Sequence, residues 1–221
     1  MALTDGEALG DSFSPRRLLS SETVYDGRIW DVLQDTFEFA PGMKPLVRDY
    51  IDHPGAVAVL VLNDAGEVLM INQYRHPVRM NLWEIPAGLM DIKGEAPHLA
   101  AARELAEEAD LVAKDWAVLV DLFLSPGSSS EAIRIYLARN TSPVPADQRH
   151  ERTDEESDMA TAWVPLDDAI AGVLEGLIHN PSAVAGLLAA AAARTGDYAS
   201  LRPVETPFDV HPRLRSAGQQ D

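Results

Sequence analysis

The stretch RELAEEADL, residues 103–111, places three glutamates, Glu104, Glu107 and Glu108, within five residues of a predicted helix. Side chains three and four positions apart lie on the same face of a helix, so these carboxylates crowd together. Each pair of like charges costs an isolated helix roughly 0.2–0.5 kcal/mol. The stretch is therefore either a solvated acidic surface or part of a site that a cation completes.

The helix that carries this cluster is predicted to run from Pro97 to Ala109. Proline suits the first helical turn, where its missing N–H would have no partner within the helix. The apolar residues fall on the side away from the glutamates, as expected for a face that packs on a core. These residues are Leu99, Ala102, Leu105, Ala106 and Ala109. One face therefore packs inward while the other presents carboxylates.

Glu104 and Glu108 lack basic neighbours at the spacing that usually stabilises a solvated acidic helix. Ala100 and Val112, rather than lysine or arginine, lie four residues from Glu104 and Glu108. Clustered carboxylate oxygens with no thiolate and no pair of histidines favour Mg²⁺ or Mn²⁺ over zinc or copper. The segment before the helix, AGLMDIKGE, contains glycine and is placed to bring a backbone carbonyl beside the carboxylates.

The bulk composition limits the kind of protein. The chain has 221 residues, 46% hydrophobic and 24% charged, which is ordinary for a globular protein with a sizeable core. A net charge of −17 argues against nucleic acid or an anionic membrane as the main partner. The absence of cysteine excludes disulfides, thiolate zinc sites and a cysteine nucleophile. No segment has the pattern of a signal peptide or a membrane span, so a cytoplasmic protein is expected.

Strand patterns surround the acidic helix on both sides. Three stretches within residues 18–53 predict a small antiparallel sheet, too small to be stable alone. The next run predicts a hairpin, because two apolar segments flank a turn at 63–66. Further strands, a long polar loop over 141–158 and two helices follow. This order predicts an α/β sandwich with a mixed sheet behind a β-rich N-terminal unit.

The acidic helix and the residues before it resemble the Nudix box. Gly88, Glu95 and residues 103–111 follow the family pattern of glycine, five residues, glutamate, seven residues and then Arg-Glu-apolar-x-Glu-Glu-x-Gly-apolar. The match covers 24 residues. The surrounding strand order also resembles the Nudix fold over roughly residues 55–193, so the resemblance implies that α/β/α sandwich.

Two positions depart from the family pattern. Six residues rather than five separate Gly88 from Glu95, but the extra residue lies in the loop and leaves the helix register unchanged. Asp110 stands where the family has glycine in a left-handed conformation. Aspartate is among the few other residues that tolerate this conformation, so a stability cost of about 1 kcal/mol is expected without lost chemistry.

The resemblance implies an enzyme that hydrolyses a nucleoside diphosphate linked to another group, with Mg²⁺ or Mn²⁺ as cofactor. By matching position, Glu104 and Glu108 are expected to be the main metal ligands. Glu107 is expected to be a further ligand or a carboxylate that acts through water. The backbone carbonyl of Ala87, just before the box glycine, is a further candidate ligand.

The resemblance also implies where the catalytic residues lie. In the bacterial ADP-ribose pyrophosphatase subgroup the base is a glutamate on a loop shortly before the last strand. TDEESDM occupies that place here, which makes Glu155 the expected base and Glu156 the alternative. Arg103 is expected to pair with Glu95 or Glu104 and to orient it.

ADP-ribose is the substrate that the resemblance favours. Pro126 lies fifteen residues beyond Leu111, where a proline marks ADP-ribose pyrophosphatases in the family. QYRH and WEIPAG before the helix, and SPG after it, also resemble the bacterial subgroup. Hydrolysis would yield AMP and ribose 5-phosphate. The alternatives are another nucleotide sugar, such as GDP-mannose or ADP-glucose, and a non-catalytic ADP-ribose sensor, which the complete set of box glutamates disfavours.

Further residues are expected to bind the substrate. Arg75 matches a family arginine that reaches the phosphates, a contact that suits arginine. Trp30 stands where the subgroup stacks an aromatic ring on adenine, although a tryptophan in a strand is more often part of a core. Glu84 either accepts a hydrogen bond from the adenine amine or caps its strand. The remaining candidates, each of which also fits a surface role, are Arg48, Arg79 and, near the terminal ribose, Glu131.

The resemblance finally implies an assembly. In the subgroup the N-terminal sheet is exchanged between two protomers, so a homodimer is expected in which each active site includes residues of both chains. The expected divisions are a loosely structured N-terminus over 1–17, an N-terminal β domain over 18–54, a Nudix domain over 55–196 and a peripheral tail over 197–221. Neither nucleic acid nor a membrane is an expected partner.

Overall fold

A computed structural model describes residues 9–151 and 159–215 of the chain. The strands are β1 Arg17–Tyr25, β2 Asp31–Glu38, β3 Leu46–Asp52, β4 Ala56–Val61, β5 Glu67–Arg75, β6 Met80–Glu84, β7 Ala87–Leu89, β8 Leu111–Phe123, β9 Ala132–Pro143, β10 Ala160–Pro165 and β11 Arg202–Pro203. The α-helices are α1 Pro97–Ala109, α2 Leu166–Leu174 and α3 Pro181–Arg194, and a 3₁₀ turn spans Ala146–Gln148. Within these described ranges, no helix is long and apolar enough to cross a membrane.

The strands form three sheets, and this arrangement confirms the predicted α/β sandwich. The largest sheet has the order β11-β8-β9-β4-β7 and is mixed, because β4 and β9 run parallel while their other neighbours run antiparallel. A second sheet, β10-β5-β6, is antiparallel. The N-terminal strands form the third sheet, β1-β2-β3.

Strand β4 lies at the centre of the core, and its two faces pack against different helices. Val57 and Val59 belong to the cluster that contains Leu105 of α1. Leu60 belongs to the cluster that contains Leu187 of α3. Successive side chains of a strand point to opposite faces, so an apolar residue is needed at every position of a strand that is covered on both sides. The unbroken run AVAVLV follows from this burial.

The predicted hairpin between β4 and β5 is wrong beyond its turn. The turn forms, with Gly66 N–H donating to the carbonyl of Asn63 at 3.0 Å. A single bridge, between Leu62 and Val68, then joins the two chain segments. Strands β4 and β5 enter different sheets, because β7 and β9 already occupy both edges of β4. Turn chemistry is local, whereas strand pairing depends on every available partner.

Helix α1 has the bounds that its sequence pattern predicts. Asp110 ends it in the left-handed conformation, with φ 54° and ψ 34°, as expected for a residue in the place of glycine. Its backbone N–H donates to the carbonyl of Leu105, five residues earlier, so the chain closes a final wider turn at the end of the helix. The cluster of glutamates therefore stands on a regular helix with a formed C-terminal cap.

The C-terminal segment differs from the expected peripheral tail. In its described part, up to residue 215, Phe208 is 4% exposed and His211 is 2% exposed. Both side chains pack into the domain, since the buried Arg134 lies over the Phe208 ring and His211 contacts the start of β4. The long loop after β9 also begins later than predicted, because β9 continues to Pro143.

Candidate active site

A cavity of about 610 Å³ opens where β5, β6 and β7 meet the starts of β9 and α3. Five predicted site residues line it: Trp30, Arg75, Glu84, Ala87 and Glu131. Trp30 and Glu131 are distant in sequence from the other three residues, so the fold is what brings the five together. Two smaller depressions near Asn63 and Asn140 have volumes of about 440 and 430 Å³, and none of the predicted residues lines either of them.

The carboxylates of Glu104 and Glu108 lie against the part of β7 that lines this cavity. Glu108 is 6% exposed, and its Oε2 accepts a hydrogen bond from the N–H of Ala87 at 2.9 Å. A Cβ atom on Gly88 would lie 1.9 Å from the carboxyl carbon of Glu104. Position 88 must therefore be glycine for the Glu104 carboxylate to lie there. The box glycine and the box helix thus meet at one point.

Arg103 is the counter-charge of the acidic face. Its Nε and Nη2 donate to Glu95 at 3.2 and 3.1 Å, and its Nη1 donates to Glu104 at 2.6 Å and to Glu107 at 3.3 Å. Hydrogen bonding to Glu95 raises the pKa of Arg103. The structure thus brings Arg103 into contact with both of its predicted partners. This contact also offsets the repulsion between the crowded carboxylates.

The oxygen atoms in this part of the site are of the kind that binds a hard divalent cation. Glu104 and Glu108 offer carboxylate oxygens beside the backbone of Ala87, the ligand type that Mg²⁺ and Mn²⁺ prefer. Burial raises the pKa of Glu104, and the charge of Arg103 opposes that rise. A partly buried carboxylate of this kind gains from a nearby positive charge. Among the described residues, however, no three acidic or histidine side chains converge closely enough to enclose an ion, and the Glu104 carboxylate is bonded to Arg103.

Arg75 and Glu84 form a paired wall of the cavity. The guanidinium Nε lies 3.0 Å from Oε1 of Glu84 and Nη2 lies 2.7 Å from Oε2, so the contact is bidentate. Glu84 is 1% exposed, whereas the Arg75 side chain is 41% exposed. The buried carboxylate therefore holds the guanidinium at the cavity surface. This geometry adds a third possibility to the two predicted for Glu84, namely that it orients Arg75.

Trp30, His53 and Glu131 form a second, aromatic and acidic wall of the cavity. The Trp30 ring is 40% exposed and stacks on the His53 ring, with centroids 6.0 Å apart. Trp30 is therefore not a core residue. Oε1 of Glu131 lies 3.8 Å from Nε2 of His53, and burial raises the pKa of Glu131. Sequence reasoning missed His53, because a single histidine after a strand carries no spacing signal.

The remaining predicted residues lie elsewhere. Arg48 is exposed on β3, where its Nη1 donates to the carbonyl of Val47. Arg79 is exposed in the turn after β5, at φ 55°. Neither of them lines the cavity of its own chain. Glu155 and Glu156 lie outside the described residues.

Comparisons with known proteins agree with this geometry. The sequence model of the NUDIX domain family matches residues 52–183 of this chain. The chain is 44% identical over 199 residues to the ADP-ribose pyrophosphatase of Mycobacterium tuberculosis, covering 90% of this chain and 94% of the relative. It is 33% identical to the ADP-ribose pyrophosphatase of Bacillus subtilis, covering 70% and 80%.

A solved structure supports the same fold. The crystal structure of an ADP compounds hydrolase superposes with a TM-score of 0.64 over 85% of this chain and 98% of that chain, at 24% identity. At this identity the similarity concerns the fold alone. The family itself rests on the match of the NUDIX model, which spans more than half of the chain, and on the relative at 44% identity. The protein belongs to the NUDIX family of hydrolases.

Proposed function

We propose that the protein hydrolyses the diphosphate of ADP-ribose to AMP and ribose 5-phosphate in a reaction that requires Mg²⁺ or Mn²⁺. The observation that carries this proposal is the meeting of the Glu104 and Glu108 carboxylates with Ala87 and Gly88 at the wall of a cavity. Two relatives that are named ADP-ribose pyrophosphatases support the choice of substrate. The cavity of about 610 Å³ is in the range of small-ligand sites.

The metal role falls to the residues beside β7. Glu104, Glu108 and the carbonyl of Ala87 would hold the ion, with Glu107 as a further ligand or as a carboxylate acting through water. A divalent cation bound there supplies neutralisation of the diphosphate and a lowered pKa for bound water. Arg103 holds the carboxylates of Glu95 and Glu104 in position, and that contact must change when a cation takes up Glu104.

Substrate recognition falls to the two walls of the cavity. Arg75 offers charge-assisted hydrogen bonds to phosphate, and Glu84 keeps its guanidinium in one orientation. The exposed face of Trp30 is available for stacking on adenine. Glu131 is a hydrogen-bond acceptor for a ribose hydroxyl. An anionic substrate can thus bind to a chain with a net charge of −17, because Arg75 places positive charge at the cavity surface.

The proton of the attacking water goes to a glutamate of TDEESDM, with Glu155 proposed as the base and Glu156 as the alternative. The water oxygen forms a bond to one phosphorus while the bridging P–O bond breaks, and the bridging oxygen leaves with the other product.

Removing a general base lowers kcat about 100-fold or more. We therefore expect Glu155→Gln to show this loss and Glu156→Gln to stay within about threefold of the wild type, at saturating ADP-ribose and Mg²⁺.

One experiment tests the function as a whole. The wild-type protein is incubated with Mg²⁺ or Mn²⁺ and a panel of ADP-ribose, ADP-glucose and GDP-mannose, and the nucleotide products are separated. AMP release from ADP-ribose that stops when the metal is chelated is the expected result. Faster cleavage of another member of the panel would make the enzyme a pyrophosphatase for that nucleotide sugar. Tight binding of ADP-ribose with no turnover would make it a sensor.

A homodimer is part of the proposal, because the N-terminal sheet β1-β2-β3 exposes apolar side chains to solvent in the single chain. Every residue of β1 is exposed in the single chain, including Leu18 at 54% and Tyr25 at 63%. Apolar side chains on an open sheet are stabilised when a second chain covers them. Arg48 lies on the same sheet, outside the cavity of its own chain. In an exchanged dimer its predicted contact with substrate would be made in the partner's cavity.

The assembly has a direct test in solution. Light scattering is expected to give twice the chain mass of 24.0 kDa. Leu18→Glu should raise the monomer fraction, because it places a charge on the open sheet. Leu177→Glu is the matched control, since Leu177 is 66% exposed after α2 and away from that sheet. A monomeric wild type, or an equal response of both variants, would contradict the dimer.

A further inference from the structure

The described end of the chain is tied down along its length. We name residues 206–215 the C-terminal strap. Arg134, 1% exposed on β9, donates from Nη1 to the carbonyl of Thr206 at 2.5 Å and from Nη2 to that of Pro207 at 3.0 Å. The Phe208 ring lies 4.5 Å from the Arg134 guanidinium. The start of the strap is therefore anchored to β9 by hydrogen bonds and a ring contact.

His211 of the strap holds the turn between β3 and β4. Its Nε2 lies 2.7 Å from the carbonyl oxygen of Pro54, and its Nδ1 accepts the N–H of Arg213 at 3.1 Å. The proton therefore sits on Nε2, which donates to Pro54. Gly55 has φ +89°, and a Cβ atom there would lie 1.9 Å from Nε2 of His211. Any side chain at position 55 would therefore collide with the His211 ring, so this packing requires glycine.

Arg213 of the strap holds the residue just before His53. Its Nη2 donates to Oδ2 of Asp52 at 2.8 Å. The hydroxyl of Ser130 donates to Oδ1 of the same carboxylate at 3.2 Å and accepts the backbone N–H of His53 at 2.9 Å. His53 thus lies between two anchors, with Asp52 on one side and the Pro54–Gly55 turn on the other. The strap contributes a contact to both anchors.

The turn that His211 holds determines which nitrogen of His53 faces the cavity as a donor. The N–H of Gly55 donates to Nδ1 of His53 at 3.0 Å, so the proton of the neutral ring is assigned to Nε2. Burial lowers the pKa of His53, and the charges of Arg213 and His211 lower it further. Nε2–H faces Oε1 of Glu131 at 3.8 Å, and both residues line the cavity. This distance exceeds that of a direct hydrogen bond.

We propose that the C-terminal strap is a positioning element of the active site, which holds His53 with its Nε2–H toward the cavity so that His53 and Glu131 together receive a sugar hydroxyl of the substrate. A hydroxyl can accept from Nε2–H and donate to the Glu131 carboxylate at the same time. The ligand chemistry rests on the proposed function. The positioning of His53 by the strap does not, since it depends only on contacts within the chain.

The first test reads the position of the His53 proton directly. The ¹⁵N and ¹³C shifts of the histidine rings are recorded at neutral pH, and the His53 signals are assigned from their loss in His53→Phe. The wild type is expected to show the Nε2–H form alone. Arg213→Gln should introduce the Nδ1–H form, because Asp52 loses one of its two partners and the neighbouring His53 ring is then held less firmly against the Gly55 N–H. Arg194→Gln is the matched control, since Arg194 also forms a half-exposed ion pair, with Asp167 at 2.7 Å, away from the cavity.

The second test separates binding from chemistry. His53→Phe keeps a ring beside Trp30 but loses the donor, and should raise KM for ADP-ribose about five- to tenfold, the scale of one lost hydrogen bond, with kcat within about twofold. Arg213→Gln should raise KM about threefold, and Arg213→Lys should restore most of that loss. Deoxy analogues of either ribose identify the hydroxyl, because His53→Phe should no longer alter KM for the analogue that lacks it.

The outcomes distinguish the two proposals. If the wild type does not cleave ADP-ribose, the proposed function fails, and the ring shifts of His53 still decide whether the strap positions it. If the wild type cleaves ADP-ribose but Arg213→Gln changes neither the His53 tautomer nor KM, the strap has no positioning role. If the tautomer changes in Arg213→Gln while His53→Phe leaves KM unaltered for every substrate, the sugar hydroxyl is not received at His53.

Discussion

Glu108→Gln is expected to lower kcat for ADP-ribose about 1,000-fold, because metal ions contribute several kcal/mol of transition-state stabilisation and this residue is a proposed ligand. Glu108 is 6% exposed and accepts the N–H of Ala87 at 2.9 Å. The amide oxygen of glutamine can accept the same hydrogen bond, so the contact between α1 and β7 survives. The variant loses the negative charge and keeps the shape.

The measurement compares kcat across a range of Mg²⁺ concentrations, with thermal unfolding as the check on the fold. Glu175→Gln is the matched control, because Glu175 is an exposed glutamate after α2, outside the cavity lining. The control should keep the wild-type kcat and metal dependence. A Glu108→Gln protein that regains full activity at high Mg²⁺ concentration would show that this charge contributes to affinity alone. A loss smaller than about tenfold at every concentration would remove Glu108 from the metal site.

Arg134→Met is expected to lower the free energy of unfolding by about 3 kcal/mol, near the lower end for breaking a buried ion pair. The Arg134 guanidinium forms a bidentate contact with Asp121 at 2.7 and 2.9 Å and donates to two backbone carbonyls of the C-terminal strap. Methionine fills much of the volume but leaves these acceptors without their donor. The loss stays near the lower end because Arg202 still pairs with Asp121 at 2.8 Å.

Urea unfolding of Arg134→Met and Arg139→Met tests this expectation on a single strand. Arg139 also lies on β9, but it is 40% exposed and its ion pair with Asp197 is 3.6 Å long, so its replacement should cost less than about 1 kcal/mol. Arg134→Met should also increase proteolysis near residues 206–215, since the strap loses its start. Equal losses of stability in the two variants would show that the buried cluster adds nothing beyond an exposed pair.

The box helix and its surroundings were predictable because they depend on local pattern. The 3.6-residue period predicted α1 with its observed bounds, and the same period places the three glutamates on one face. The left-handed Asp110 was expected from its place at the helix end. The sandwich followed from the alternation of strands and helices. For the helix and its end the evidence lay within about 20 residues of chain, which is the range over which helix and turn preferences act.

The errors came from interactions between distant segments. The turn at 63–66 formed, but β4 paired with β7 and β9 instead of β5. The polar and proline-rich tail was expected to be peripheral, yet Phe208 and His211 are buried. The composition of a segment indicates how well it is solvated. Its burial depends on whether other segments of the fold provide a surface on which its side chains can pack. Arg134, an arginine within an apolar strand, was the one local sign that a partner would be needed.

The helix, the spacing of its carboxylates and the family could all be predicted from the order of the residues, because each depends on residues that are close together along the chain. The folded structure was needed to show that the carboxylates lie against Ala87 and Gly88. It was also needed to show that Glu84 pairs with Arg75 and that His53 lines the cavity. Each of these contacts joins segments from different sheets or from opposite ends of the chain. Such contacts depend on strand pairing and packing, which no local preference encodes.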